Sequence, residues 1–259
     1  MEPSSIVIPA SLTRSSTATQ ASLAMPTERL PFTIRRVDTD DSLLKAVQIR
    51  HAAYARHVPD FACTLAAPEA SDYDDDAVVL LAESKLDGSP LGTARIQTNN
   101  HGPLHIEESL VLPEWLQGRR LAEVTRLGVS EGRIGHVVKI ALMKAFFQFW
   151  ERSGTEFALT TGRPPIDRQY EQLMFSDVFE PGQHIPLKHV GNIPHRVMAF
   201  EIATAEARWT AARHPLLKFV RQTNHPDIDI GELRQRHTLP LHIAPRSVPG
   251  RRIAGFAEA

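Results

Sequence analysis

Apolar positions along this chain alternate in some stretches, recur every three or four residues in others, and run together in a third group. Each pattern predicts a different element. Residues 32–39, FTIRRVDT, alternate and end on aspartates, which predicts a strand running into a helix cap. The helix is predicted over 42–57, where Leu43, Val47, Arg50 and Tyr54 fall on one face. An arginine within an inward stripe must find a partner if that face is buried. Residues 78–84 and 92–98 read as a hairpin with Asp87-Gly88 in or near its turn. Residues 100–118 read as loop with a short helix around 113–117, and 121–129 as a strand. Residues 135–154 are apolar nearly all round, so the spacing predicts a deeply buried helix, ended by Gly154. A strand at 156–161 follows. Strand, long helix and strand form a crossover, so 121–129 and 156–161 should be parallel. A helix with prolines in its first turn begins within PPIDRQYEQLMF. Two strands, around 184–190 and 196–202, and a helix over 204–220 complete a mixed α/β layer.

The stretch LAEVTRLGV, residues 121–129, breaks its own pattern with Glu123 and Arg126. Side chains three apart on a strand point to opposite faces unless a bulge intervenes. On an exposed edge the two charges form a surface pair worth little. In a buried strand each needs a partner or a task.

The chain has 259 residues, 42% hydrophobic and 23% charged, enough for one large domain. A net charge of -1 gives no pull toward nucleic acid. Cys63 is the sole cysteine, which excludes an internal disulfide or a cysteine metal cluster and suits a reducing cytoplasm. It reads as a small buried hydrophobe rather than a nucleophile. Residues 1–31 read as a disordered lead-in without the apolar segment of a signal peptide. Residues 224–259 read as a tail or docked arm, leaving 32–223 as the folded domain. None of the twelve histidines stands in a metal-binding motif, so no metal site is expected.

Arg50 with Tyr54, Asp72 with Asp75, Glu123 with Arg126, and Arg95 within its strand all place charge on segments that read as inward. Each has a plainer reading: Arg50 extending to solvent, Arg95 on an edge, and five carboxylates from Glu69 to Asp76 forming a solvated loop without calcium-loop spacing.

Together, IRHAAY (49–54), DYDD (72–75), GTAR (92–95) and EVTR (123–126) resemble the acyl-homoserine lactone synthases. The later part resembles more closely the bacterial long-chain N-acyl amino acid synthases, through GRPPIDRQYEQLMF and HIPLKHVGNIPHRVMAFEI. Met174 stands where that family's Tyr-x-x-x-Gly-Phe pattern has glycine. The resemblance spans about 32–202. It implies the GNAT-like acyltransferase fold, an α/β architecture whose mixed central sheet has two splayed parallel strands and helices on both faces.

The implied reaction moves a long-chain acyl group from an acyl carrier protein thioester to the α-amine of an amino acid. The acyl-phosphopantetheine arm is then the donor substrate and no cofactor is bound. A bulge would free an N–H near Leu127 or Val129 for the thioester carbonyl. Glu123 would act as base, and Tyr170 would protonate the leaving thiolate. Arg50 and Arg126 would hold Glu123 and the Asp72/Asp75 pair, or bind the acceptor carboxylate. Phe146, Phe147 and Trp150 would line the acyl slot, with core packing the plainer use of any one of them. SEGRIGHVV carries Gly132, Arg133 and Gly135 but not the spacing of a pyrophosphate-cradling loop, which favours a carrier-protein donor. Arg119, Arg120, Arg126, Arg133, Lys139 and Lys144 against Glu123 and Glu131 suggest a basic rim for an acidic partner. The lipid product would bring peripheral membrane contact. The alternatives are a lactone synthase using S-adenosylmethionine and a non-catalytic lipid- or partner-binding protein.

Overall fold

The computed structural model describes residues 25–232. The expectations for residues 1–24 and 233–259 lie outside the described residues.

Strand β1 (Phe32–Arg36) buries Phe32 and Ile34 and leads into helix α1 (Asp40–Ala55). Thr39 caps α1, its Oγ1 accepting the Ser42 N–H at 3.2 Å, and Asp40 and Asp41 complement the positive helix end. A short turn, α2 (Pro59–Ala62), follows, and Cys63 just after it is exposed rather than buried. Strands β2 (Ala77–Ser84) and β3 (Pro90–Thr98) form the expected hairpin, with Gly88 at φ 70 in its turn.

Strand β4 (Leu121–Val129) lies beside β3, antiparallel. Helix α3 (Gly132–Ser153) crosses over to β5 (Phe157–Gly162), which is parallel to β4 as the crossover requires. Helix α4 (Ile166–Gln172) and strands β6 (Ser176–Asp177), β7 (Ile185–Leu187) and β8 (Ile193–Glu201) follow. Arg196 on β8 anchors α4: its guanidinium bonds Asp177 twice, at 2.9 and 2.8 Å, and reaches Glu171 at 2.7 Å. Beyond α4, Met174 takes the left-handed φ of 70 that a glycine would adopt without strain.

The helix expected over 204–220 is broken into α5 (Ala205–Ala211) and α6 (Leu217–Arg221). Arg213 turns left-handed at φ 50, and Pro215 lacks the N–H that would continue the ladder.

Sheet order is β6-β8-β5-β4-β3-β2-β1-β9, with β7 pairing β8 off this path. The last strand, β9 (Ile228–Asp229), pairs parallel to β1. Helix α1 covers one face and α3 the other. The main core lies between α3 and the sheet, where Phe146, Phe147, Phe149 and Trp150 meet Ile34, Leu80, Ile96 and Phe200.

The boundaries of the folded part lie further out than 32 and 223. Asn224 donates to the Pro26 carbonyl at 2.7 Å, and the Leu30 N–H donates to Asp227 Oδ2 at 2.8 Å. Residues 25–31 and 224–230 are thus zipped to each other at the sheet edge. Buried Lys144 on α3 fastens this seam, donating to the carbonyls of Phe219 and Thr223 and reaching His225 Nδ1 at 2.9 Å. Burial pushes its pKa down to about 8, so it remains largely protonated at neutral pH.

Candidate functional site

The two charges of β4 share one face because the strand bulges between them. Arg95 on β3 faces Thr125 and Thr93 faces Gly128, so Arg126 and Leu127 together oppose the single residue Ala94. Arg126 takes a left-handed φ of 56. Beyond the bulge the alternation is offset by one. Glu123, Thr125, Arg126 and Gly128 face α1 and the loops, whereas Val124, Leu127 and Val129 pack toward α3. Gly128 permits the close approach of α1: a Cβ there would stand 2.9 Å from that of Ala53.

On the α1 side, three guanidinium groups surround two carboxylates. Arg50 bonds Asp72 through both Nη atoms, at 2.9 and 2.8 Å, and Glu69 at 3.1 Å. Arg95 reaches Asp72 at 3.1 Å and Glu69 at 3.3 Å. Arg126 grips Glu69 with two bonds of 2.7 Å and donates to the His189 carbonyl at 2.8 Å. Burial by itself would raise the pKa of both carboxyls. The guanidinium contacts outweigh it and hold both below the usual carboxylate range.

Glu123 sits behind this cluster, fully buried. Its Oε2 accepts the Ile106 N–H at 3.2 Å, and its Oε1 lies 3.5 Å from His189 Nε2. Burial pushes its pKa up to about 7, against the pull of Arg95 and Arg126. Burial, then the neighbouring cations, push His189 down to about 3 and His105 to about 4. The two imidazoles are therefore neutral at physiological pH, their rings 6.1 Å apart.

Strands β4 and β5 pair only from Leu121↔Phe157 to Val124↔Thr160, and then part. A cavity of about 1030 Å³ opens in the gap. Its walls come from residues 124–129 of β4, the end of β5 with the loop into α4, one side of α3, the end of α1, and His189, Val190 and Ile193. Ile140, Met143, Leu173 and Leu216 supply an apolar wall. The charged lining consists of Arg56, Arg126, Lys139 and Arg163, with no carboxylate among the lining residues.

The structure thus assembles Arg50, Asp72, Arg95, Glu123 and Arg126 at one site, and sets Tyr54, Leu127, Val129 and Tyr170 in the cavity wall. Burial raises the Tyr170 pKa, which keeps its hydroxyl protonated. Four other expectations need correction. Asp75 is exposed and takes no part. Glu69 fills its place, because the tight turn Ala70–Asp72 aims residues 69 and 72 inward together. Phe146 and Trp150 are core residues outside the cavity wall; their rings pack tilted against each other, and Trp150 meets Phe147 edge-on. Arg133 is exposed and outside the wall. The basic run does not form one rim. Arg119 and Arg120 pair with Glu156 at the opposite end of β4, Arg126 is bound to Glu69, and Lys144 is buried.

Sequence reasoning passed over Glu69, His105 and His189. The signal for Glu69 was its place in the acidic run. His189 lies in a segment read as a strand and folded as the short 3-10 turn Lys188–Val190, and nothing in its pattern marked it as a site residue. Among the described residues no group of three or more His, Cys, Asp or Glu side chains is placed to hold a metal ion. No helix there is long and apolar enough to cross a membrane.

No family model matches the chain, and no curated protein matches its sequence. Solved structures do. One is FeeM, an N-acyl amino acid synthase from uncultured soil microbes, with a TM-score of 0.52 at 17% identity over 73% of this chain and 96% of that one. Another is BjaI, a CoA-dependent acyl-homoserine lactone synthase solved with S-adenosylmethionine and isopentyl-CoA. Its TM-score is 0.53 at 18% identity, over 79% of this chain and 96% of that one. The fold is that of the GNAT acyltransferases, with a mixed sheet flanked by helices.

Proposed function

We propose that this protein is an N-acyltransferase that moves a long-chain acyl group from acyl carrier protein to the α-amine of an amino acid. The observation that carries this reading is the parting of β4 and β5 beside a bulge, over a cavity whose charged lining is wholly cationic. A thioester arm lies along such a gap with its carbonyl near the bulge, where the Leu127 or Val129 N–H serves as the oxyanion donor. The cavity is at the upper end of the range for small-molecule sites, which suits a chain far longer than acetyl. Its cations suit two anions: the phosphate of the pantetheine arm and the carboxylate of the acceptor. Tyr170 in the wall is the proton donor to the departing thiolate.

The carrier-protein donor draws support from the outer surface. Exposed Ile134, Val137 and Ile166 lie on the same turns as Arg133, Lys139, Arg163 and Arg168, a mixed apolar and basic margin fitting an acidic partner. No bound cofactor enters the reaction. The amphiphilic product would bring peripheral membrane contact.

The test is product analysis by mass spectrometry. Purified protein is given long-chain acyl carrier protein or the matching acyl-CoA, with an amino acid mixture in one arm and S-adenosylmethionine in another. An N-acyl amino acid formed faster from the carrier protein is the expected result. A lactone identifies the alternative synthase, and failure to release thiol with any acceptor overturns the enzyme reading in favour of a lipid- or partner-binding protein.

A further inference from the structure

The reaction proposed above requires one proton to leave the acceptor nitrogen, and Glu123 does not reach the cavity. It is fully enclosed and absent from the cavity wall. His189 meets both requirements: it lines the cavity, and its Nε2 lies 3.5 Å from Glu123 Oε1. Resting on that reading, we propose that His189 is the catalytic base that touches the acceptor amine, and that Glu123 is the positioning residue behind it.

Three observations converge here. Both ring nitrogens of His189 and the facing Oε1 of Glu123 are buried without a hydrogen-bond partner in the protein, so the acceptor amine reaches Nδ1 only by displacing the side chains that cover it. Buried polar atoms left in that state are rare and call for a role. The ring is also held from its backbone: the His189 carbonyl accepts from Arg126, and the adjacent Lys188 N–H donates to Ser109 Oγ at 2.8 Å. The third is charge. Arg126, Arg95, His105 and His195 face His189, while Arg95, Arg126 and Glu108 act on Glu123. Burial, then the arginine charges, keeps the resting imidazole neutral, as a base must be, and an ionised Glu123 then stabilises the imidazolium.

The step balances. The neutral amine attacks the thioester carbon, the C–N bond forms, and the nitrogen becomes positive. Its proton passes to His189, the C–S bond breaks, and the thiolate takes a proton from Tyr170, leaving amide and free thiol. His189 then releases its proton to solvent and Tyr170 regains one from it.

The experiment compares wild type with H189Q and E123Q, using an amino acid acceptor and hydroxylamine, an amine of low basicity whose attacked form sheds its proton without help. H189Q is expected to lose about 100-fold or more in kcat toward the amino acid, with the thioester KM within about twofold, and less than about tenfold toward hydroxylamine. E123Q should lose about tenfold in the same pattern. An equal loss toward both acceptors, or under about threefold toward the amino acid, overturns the assignment and leaves the acyltransferase reading standing. Nitrogen-15 NMR of the wild-type histidines is independent of turnover and of the variant's folding. His189 should stay neutral from about pH 6 to pH 8. A ring found cationic there overturns the proposal, even for a protein without acyltransferase activity.

Discussion

Arg126 holds Glu69 by two hydrogen bonds of 2.7 Å across 57 residues of sequence. The side chain reaches there from a left-handed backbone, so bulge and ion pair depend on each other. Glu69 in turn contacts Arg50 on α1 and Arg95 on β3, and one carboxylate ties three elements together.

Removing Arg126 should be costly. R126A leaves a half-buried carboxylate short of its fork-shaped partner, a loss of about 3–5 kcal/mol. At about 2–4 °C per kcal/mol for a chain this size, the melting temperature should fall by roughly 6–20 °C. R126K keeps the charge but not the paired geometry and should fall between. Thermal unfolding followed by circular dichroism checks the order.

Two acidic residues six positions apart should behave oppositely. E69A breaks contacts with three arginines and should lower stability by several kcal/mol, about 3 or more, and abolish activity. D75A alters an exposed side chain and should change stability by no more than about 0.5 kcal/mol. Denaturant midpoints of the two variants would contradict this if they matched.

Glu123 makes stability depend on pH. Its folded pKa of about 7 lies above the unfolded value of 4.5, so the folded state binds the extra proton between these limits. Stability therefore falls as pH rises from 4.5 through 7, by about 3 kcal/mol in all. Glu69 and Asp72 have the opposite sign, since their depressed pKa values give stability that is lost as pH drops below the usual carboxylate range. Urea titrations at pH 5 and pH 8 should show E123Q free of the neutral-range loss that wild type displays.

Chain-length preference should follow the cavity wall and ignore the aromatic core. M143W puts bulk into the wall and should shift acyl preference toward shorter chains. W150A should cost about 3–5 kcal/mol, yet leave preference unchanged in protein that remains folded. A competition assay with mixed acyl donors reads both.

The cationic lining predicts a salt-sensitive donor. R163E places a carboxylate where the described wall has none and should raise the donor KM by about tenfold at low salt, less as salt screens it. An unchanged KM at low salt would remove Arg163 from anion recognition.

What the sequence by itself determined was local. Alternation marked the strands, Asp87-Gly88 marked the hairpin turn, Gly154 marked the end of α3, and a strand-helix-strand run required parallel β4 and β5, because period and turn chemistry act over a few residues. Pairs whose partners lie far along the chain were legible only as needs. Arg50, Arg95 and Arg126 on inward segments demanded carboxylates, but an acidic run does not say which members turn inward. A helix apolar all round does not say which face meets a cavity, so Phe146 and Trp150 were misplaced while Met143 lines the wall. Only the tertiary structure decided where β4 stops pairing with β5 and that His189 comes to rest against Glu123. Those outcomes depend on how distant segments are packed together, and neighbouring residues carry no record of them.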